Sequence, residues 1–183
     1  MDALVWMDLE TTGLNPLDDY ILECGGLVTT ADKDMRILDS WSFCVGERPF
    51  LENYPMDDFV RNMHRESGLQ EAWNNSLKHT LESAWDEVSQ ILYLVKGEEG
   101  IEKYYPAGAS IHFDMSFLKE AYGFDKINET FNHRYLDVSA LKIFYSLQGI
   151  VIPDNDTFKP THRSTNDILN SRRTLRNLLD GKF

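Results

Sequence analysis

WMDLETTGLNP, residues 6–16, places two carboxylates, Asp8 and Glu10, two positions apart directly after an apolar run. Because residues i and i+2 of a strand point to the same face, both side chains are expected to project together from the strand's end. Carboxylates that close repel each other unless a cation lies between them. Taken alone, the pair fits either a metal site or a solvated strand end that runs into the TTG turn.

The residues around this stretch alternate in polarity as a sheet does. ALVWMDL is followed by YILECGGLVTT and then by ILDSWSFCVG, a pattern that predicts an antiparallel meander. Two later stretches, YYPAGASI and HRYLDV, each read as a short strand that leads into a helix. The sequence therefore predicts an α/β fold, a central mixed five-stranded sheet flanked by helices.

Helical patterns begin after the meander. One helix is predicted from Met56 to Gly68, and the next begins at the capping residue Thr80. Asp137 is well placed to cap a later helix, and the last helix stops at Gly181. The only long run without a pattern is the polar loop from Pro153 to His162.

Size and composition are typical of one globular domain. The chain has 183 residues and a mass of 21.2 kDa, so we expect a single domain over residues 1–183. No segment approaches the ~20 apolar residues of a membrane helix, and MDALVWMD lacks the features of a secretion signal, so we expect a cytoplasmic protein without membrane partners. Cys24 and Cys44 lack CxxC spacing and are expected to be small buried hydrophobes.

The formal net charge is −12, which argues against long-range attraction to duplex nucleic acid. A polyanionic partner must then be short, or be held by metal ions and a local basic patch. Four arginines cluster on and around the last helix. This cluster is formed by Arg163, Arg172, Arg173 and Arg176. It is either a solvated helix face or a source of phosphate contacts, and the sequence leaves both open.

Two further acidic residues lie where an open α/β sheet binds ligands. Asp114 begins a helix directly after a short strand, and Asp167 falls in the first turn of the last helix. Such positions gather at one sheet edge, although ordinary helix capping would explain each residue alone. His162, five residues before Asp167, can reach whatever Asp167 binds.

Four carboxylates without cysteine favour Mg²⁺ or Mn²⁺ over zinc. Two such ions about 3.5 to 4 Å apart can hold a scissile phosphate and stabilise its leaving oxygen. Histidine can accept a proton from the attacking water near neutral pH. The residue types therefore suit phosphoryl chemistry.

Three motifs carry a resemblance to a known family. WMDLETTGLNP, SIHFDMSFL and THRSTNDI resemble the three motifs of the DEDDh group of 3′-to-5′ exonucleases. MDDFVRNMHRESGL and HRYLDVSALK are similar to further segments of the oligoribonucleases within that group, so the resemblance runs from Leu4 to Leu179. It implies a ribonuclease-H-like fold and a metal-dependent exonuclease that hydrolyses short oligonucleotides to nucleoside 5′-monophosphates.

The resemblance also implies roles for individual residues. Two metal ions would be held by Asp8, Glu10, Asp114 and Asp167, with Asp8 bridging both ions, and His162 would be the general base. The expected substrate contacts come from Leu14 as a wedge against a base, His64 on the substrate-side helix, and Ser110 and Arg134 in a cap on the 5′ phosphate. Family members are homodimers, and Arg134 would act from the neighbouring subunit.

Three positions depart from the family's pattern. Phe113 stands where the family has glutamine, His133 where it has tyrosine, and Phe59 where it has tryptophan. A lost amide removes a phosphate hydrogen bond of roughly 1.5 to 3 kcal/mol if that bond is charge-assisted, whereas His133 would contact the phosphate in place of the tyrosine. Three functions therefore stay open: hydrolysis of short RNA and possibly DNA, hydrolysis of longer single-stranded ends, and binding without catalysis.

Overall fold

The computed structural model describes residues 1–46, 54–150 and 161–181, so most of the predicted polar loop lies outside the described residues. The strands are β1 (Asp2–Thr11), β2 (Ile21–Thr30), β3 (Ile37–Val45), β4 (Lys78–His79), β5 (Lys103–Gly108) and β6 (Leu136–Asp137). The helices are α1 (Asp58–Glu66), α2 (Leu69–Asn75), α3 (Leu81–Glu99), α4 (His112–Tyr122), α5 (Phe124–Thr130), α6 (Val138–Leu147) and α7 (Ser164–Leu179).

The strands form one mixed sheet in the order β4-β3-β2-β1-β5-β6. β1 pairs antiparallel with β2, and β2 with β3, which confirms the predicted meander. β5 lies parallel to β1 and β6 parallel to β5. The predicted count of five strands is wrong, because β4 adds a sixth strand at the edge beside β3. With only two residues, β4 is too short to give an alternating pattern.

β1 is buried on both faces, as a central strand covered by helices must be. Its odd-numbered residues, such as Val5, share a core cluster with the apolar side of α3 and with Phe117 of α4. Its even-numbered residues, such as Trp6, share a second cluster with Ile168 and Leu175 of α7. Asp8 continues the even-numbered row, so the alternation of β1 directs its side chain to the face that α7 covers.

The capping predictions for two helices are confirmed. The side chain of Thr80 accepts a hydrogen bond from Ser83 N at the start of α3. The side chain of Asp137 accepts from Ser139 N and Ala140 N at the start of α6. Because these side chains accept hydrogen bonds from the first free N–H groups, they fix the residue at which each helix begins.

Both cysteines are free, as predicted. Burial raises the pKa of the Cys24 thiol to about 12 and also raises the pKa of Cys44, so both stay protonated at neutral pH. No helix in the described part of the chain combines the length and apolar content needed to cross a membrane.

Candidate active site

Three carboxylates converge where β1 ends beneath the start of α7. One oxygen from each of Asp8, Glu10 and Asp167 lies within 4.8 Å of the others. Asp8 and Glu10 share a strand face, and α7 crosses that face with Asp167 in its first turn. The structure therefore brings together three of the four residues predicted to bind metal.

Asp114 lies beside this group and supports it. It sits in the first turn of α4, is 4% exposed, and accepts a hydrogen bond from Leu9 N at 2.8 Å through Oδ1. Because Leu9 lies between Asp8 and Glu10, this contact fixes the end of β1. Asp114 also lines the same cavity as the other three carboxylates.

Asp167 is held by the backbone that precedes its own helix. Its Oδ1 accepts from Thr161 N at 2.8 Å, and its Oδ2 accepts from His162 N at 3.0 Å. His162 has a left-handed backbone, with φ of 53°, which turns the chain into α7 at this point. The expected proximity of His162 to Asp167 is therefore built into the entrance of the helix.

Burial and mutual repulsion act together on the acidic residues. Burial raises the pKa of Asp8 well above its usual range, and Asp114 and then Glu10 raise it further. Burial, followed by the charge of Glu23, raises the pKa of Glu10 to about 8. Burial raises the pKa of Asp114 to about 7. A divalent cation would favour the ionised forms of all three, so the residues present fit Mg²⁺ or Mn²⁺ with oxygen ligands.

A cavity of about 540 Å³ opens over the carboxylates, a size typical of ligand sites. Six residues of the predicted site besides Asp8 and Glu10 line it: Leu14, Ser110, Phe113, Asp114, His162 and Asp167. Leu14 is 82% exposed at the mouth, as a wedge against a base would be. Phe113 also packs against Phe117, with ring centroids 5.0 Å apart.

Three predicted substrate contacts lie elsewhere. His64 is fully buried, with Nε2 2.8 Å from Thr11 O and Nδ1 3.8 Å from Glu10 Oε2. Burial lowers the pKa of His64, and its ring lies buried behind Glu10, so its predicted part in substrate binding stays a prediction. His133 and Arg134 are exposed and are not among the described residues that line the cavity, so their substrate contacts stay predictions.

Two residues of α6 that the sequence did not single out line the cavity opposite β1. Ser139 and Lys142 are three residues apart and share a helix face. Ser110 Oγ donates to Ser139 Oγ at 3.2 Å, and Asp137 Oδ1 accepts from Ser110 N at 3.0 Å. Among the described residues that line the cavity, Lys142 carries the one permanent positive charge. The sequence could have indicated them, because Ser139 and Lys142 are spaced to share a helix face just after the cap at Asp137.

The arginine cluster does not supply phosphate contacts in this cavity. Arg163 Nη2 lies 2.8 Å from Glu23 Oε1, and Arg172 Nη2 donates to Met35 O at 2.7 Å. Arg173 and Arg176 are exposed, and neither lines the cavity in the described part of the chain. The alternative of a helix face without a substrate role fits better, and two of its arginines bind other parts of the protein.

A mixed sheet with carboxylates gathered at the end of its central strand, beside a histidine at a helix entrance, defines a ribonuclease-H-like exonuclease. The family model RNase_T, described as Exonuclease, matches residues 5–175. The oligoribonuclease of Vibrio campbellii is 34% identical over 174 residues, covering 92% of this chain and 88% of that protein. The oligoribonuclease of Chromobacterium violaceum is 33% identical over 174 residues, covering 94% and 91%. The chain belongs to the oligoribonuclease family of 3′-to-5′ exoribonucleases.

Solved structures agree on the fold. E. coli exonuclease I in complex with a dT13 oligonucleotide matches with a TM-score of 0.67 and 13% identity, over 99% of this chain and 43% of that one. A zinc-bound form of the same enzyme with single-stranded DNA matches with a TM-score of 0.70 and 10% identity, over 100% and 41%. The chain spans less than half the length of exonuclease I, and the likeness confirms the predicted α/β fold alone.

Proposed function

We propose that this chain removes nucleoside 5′-monophosphates from the 3′ end of short single-stranded RNA, and of short DNA, with two Mg²⁺ or Mn²⁺ ions in each site. The observation that carries the proposal is the convergence of Asp8, Glu10 and Asp167 on one point of a substrate-sized cavity. Membership of the oligoribonuclease family supports the substrate class. The matched span of residues 5–175 supports one exonuclease domain. We also propose a cytoplasmic location.

Each acidic residue has a distinct part in this proposal. Asp8, Glu10 and Asp167 would hold metal at their point of convergence, and Asp114, which lines the same cavity, would add a fourth carboxylate ligand. Bound there, the ions supply positive charge that stabilises the scissile phosphate as negative charge develops on it. Because burial and repulsion oppose ionisation of Asp8, Glu10 and Asp114, these carboxylates are arranged to gain from such a charge.

His162 is the proposed general base. It lines the cavity beside Asp167, and its backbone N–H is held by that carboxylate. In the proposed step, the imidazole takes a proton from a water whose oxygen attacks phosphorus. The bond from phosphorus to the 3′ oxygen of the preceding nucleoside breaks, so the terminal nucleoside leaves with its 5′ phosphate.

One part of the cavity wall is suited to a 5′ phosphate. Ser110, Ser139 and Lys142 present two hydroxyls and one ammonium group there. A group that binds a terminal 5′ phosphate would favour short oligonucleotides over long ones. The formal net charge of −12 disfavours binding of a polyanionic substrate. Lys142 and the metal ions would offset it by placing positive charge where the phosphates bind.

A second candidate is a broader exonuclease on longer single-stranded DNA or RNA ends. Phe113 replaces an amide donor in the cap and therefore weakens its hold on a terminal phosphate. A neighbouring cavity of about 490 Å³ shares Met63 and His162 with the main one, and the exposed Phe59 lines it. This second cavity offers room for further nucleotides next to His162. A binding module without catalysis is disfavoured, because it would not need four carboxylates and His162 together.

We also propose a homodimer. α6 exposes three apolar side chains at its end, and Ile143, Phe144 and Leu147 are 61%, 57% and 78% exposed. Such a face on a soluble enzyme is suited to contact with a second copy. In a dimer, the exposed Arg134 and His133 would be free to reach the partner's substrate. Sedimentation of Leu147→Asp should give a monomer with weakened binding of the 5′ phosphate, and a wild-type monomer would refute the proposal.

The proposed reaction is tested by digestion of 5′-labelled RNA and DNA of 2 to 20 residues, with Mg²⁺ or Mn²⁺. We expect shortening from the 3′ end, fastest on the shortest RNA, and none with EDTA. Asp114→Asn should lower kcat at least 100-fold, because it removes a carboxylate charge from the proposed metal site. Asp125→Asn on the surface of α5 is the matched control and should leave kcat unchanged. Full activity of Asp114→Asn, or in EDTA, would refute metal-dependent hydrolysis.

A further inference from the structure

Glu23 is a fifth carboxylate near the site, buried like Glu10 and Asp114, and it has a different environment from the other four. It lies on β2 directly opposite Glu10 of β1 and is 2% exposed. Its Oε1 accepts from Arg163 Nη2 at 2.8 Å and from Nε at 3.2 Å, while its Oε2 accepts from Ser164 N at 2.9 Å. With both oxygens engaged, Glu23 is outside the three-carboxylate group and does not line the cavity.

Gly25 makes room for the contact between β2 and the start of α7. It lies two residues after Glu23, and so on the same face of β2. A Cβ added there would lie 2.4 Å from Ser164 Oγ and 2.7 Å from Ser164 Cβ. The bare backbone at Gly25 therefore lets Ser164, which is fully buried, lie directly on the strand. The start of α7 therefore contacts β2 twice: Arg163 binds the Glu23 carboxylate, and Ser164 packs against the bare backbone of Gly25.

Arg163 and Ser164, which β2 holds, lie between His162 and Asp167 in the sequence. Arg163 is the N-cap of α7 and Ser164 its first residue, so His162 precedes the anchor and Asp167 follows it within one turn. The hydrogen bond from the backbone N–H of His162 to the side-chain carboxylate of Asp167 connects the two ends of this short segment. A shift of Arg163 and Ser164 on β2 would therefore move both groups relative to Asp8 and Glu10.

The ionic character of this contact has a physical reason. A carboxylate buried opposite Glu10 adds to the repulsion within the site unless a cation compensates it. The Arg163 guanidinium supplies that cation and, through its planar fork, fixes direction as well as charge. Removing one partner from a buried pair leaves the other uncompensated, which is far more disruptive than losing an exposed pair.

We propose that Glu23 and Arg163 form a positioning pair, which sets the entrance of α7 on β2 so that His162 and Asp167 meet Asp8 and Glu10. This inference rests on the proposed function of those four residues. Glu23 and Arg163 touch neither the substrate nor the metal ions in this role. They act through the placement of the helix entrance.

The test compares Glu23→Gln with Glu99→Gln. The control removes the same charge from the bidentate Arg36–Glu99 pair, which is also 2.8 Å long but lies at the surface. For each variant, we would measure kcat and KM on a two-residue RNA, the Mn²⁺ Kd without substrate from the spin resonance of free Mn²⁺, and Tm. For Glu23→Gln we expect kcat to fall at least tenfold, KM to change less than threefold and the Mn²⁺ Kd to rise at least fivefold. Glu99→Gln should change none of these.

A merely structural role would lower Tm without changing the folded enzyme. Wild-type kcat and Mn²⁺ Kd in Glu23→Gln, with or without a lower Tm, would therefore overturn the inference. If Glu23→Gln does not fold, Arg163→Lys is decisive, because it keeps the charge and loses the fork. We expect a threefold or greater loss of kcat with a weaker Mn²⁺ Kd, and wild-type values for both would overturn the pair. Failure of the wild type to cut RNA would refute the proposed function. The Mn²⁺ Kd of Glu23→Gln, compared with that of the wild type, would still test the positioning pair.

Discussion

Phe113 is the residue at which this chain's substrate length is most open to experiment. It lines the cavity one position before Asp114, where the family has an amide donor. Phe113→Gln should restore a hydrogen bond to the 5′ phosphate and raise kcat/KM on two-residue RNA about tenfold over that on 20-residue RNA, since a charge-assisted bond is worth roughly 1.5 to 3 kcal/mol. The measurement is the ratio of the two kcat/KM values.

Phe124→Gln is the control for that ratio. Phe124 is 64% exposed on α5, so the same chemical change there should leave length preference unaltered. An unchanged ratio in Phe113→Gln would mean that residue 113 does not contribute to the cap. The stable fold of the variant can be checked by Tm, because Phe113 also packs on Phe117.

Residues that follow a local rule could be predicted, and residues that depend on distant partners could not. Asp8 and Glu10 share a strand face by simple alternation, and Asp167 falls in a helix's first turn. Glu23 gave no such signal, because its partner Arg163 lies 140 positions away along the chain. The sequence likewise gave no sign that His64 is buried. Its burial depends on how α1 packs against the end of β1, where it meets Thr11 O.

At the scale of elements, the two glycines of β2 show how closely the sheet is covered. Gly25 faces α7, whereas a Cβ on Gly26 would lie 1.9 Å from Cζ2 of Trp41 on β3. Gly26→Ala must displace that buried indole, so we expect the free energy of unfolding to fall by about 1 to 3 kcal/mol. Urea titration followed by circular dichroism measures the change.

Gly97→Ala provides the opposite expectation for the same substitution. Gly97 lies inside α3 with no heavy atom within 4 Å of an added Cβ, so alanine should raise the free energy of unfolding by about 0.5 to 1 kcal/mol. Equal effects of the two substitutions would contradict the packing argument. A Gly26→Ala protein as stable as the wild type would show that Trp41 can move without cost.

The long elements could be predicted from the sequence, and so could the two-residue β6 before the cap at Asp137, whereas three other short elements could not. The meander and the caps at Thr80 and Asp137 follow from patterns that extend over several residues or from strong local hydrogen bonds. The prediction omitted α2 and α5, each of seven residues, and the two-residue β4. Elements this short are stabilised by tertiary contacts rather than by their own periodicity.

At the scale of the whole molecule, the acidic site stores repulsion that a metal ion would relieve. The net charge of −12 already disfavours bringing acidic groups together, and four of them line one cavity. Burial raises the pKa of Glu10 to about 8 and that of Asp114 to about 7, from usual values near 4.5 and 3.8. The folded protein therefore keeps protons on these groups that the unfolded chain releases.

The sign of the pH effect follows from this difference. Between about pH 4.5 and 8 the unfolded chain binds fewer protons than the folded one, so stability falls as the pH rises through that window. Without divalent ions, Tm should therefore decrease from pH 5 to pH 8. Glu10→Gln should flatten the decrease, because it removes a carboxyl group whose pKa burial raises to about 8, whereas Glu82→Gln in the exposed first turn of α3 should not.

Manganese should reverse the trend, because Mn²⁺ binds ionised carboxylates and competes with their protons. At pH 8 and a free Mn²⁺ concentration 100 times its Kd, binding should stabilise the fold by about 2.7 kcal/mol, a rise in Tm of roughly 5 to 10 °C for a chain of this size. At pH 5 the same concentration should raise Tm far less, because protons occupy the ligands. Differential scanning fluorimetry at both pH values, with and without Mn²⁺, makes the comparison. Equal stabilisation at pH 5 and pH 8 would show that Mn²⁺ binds outside these carboxylates.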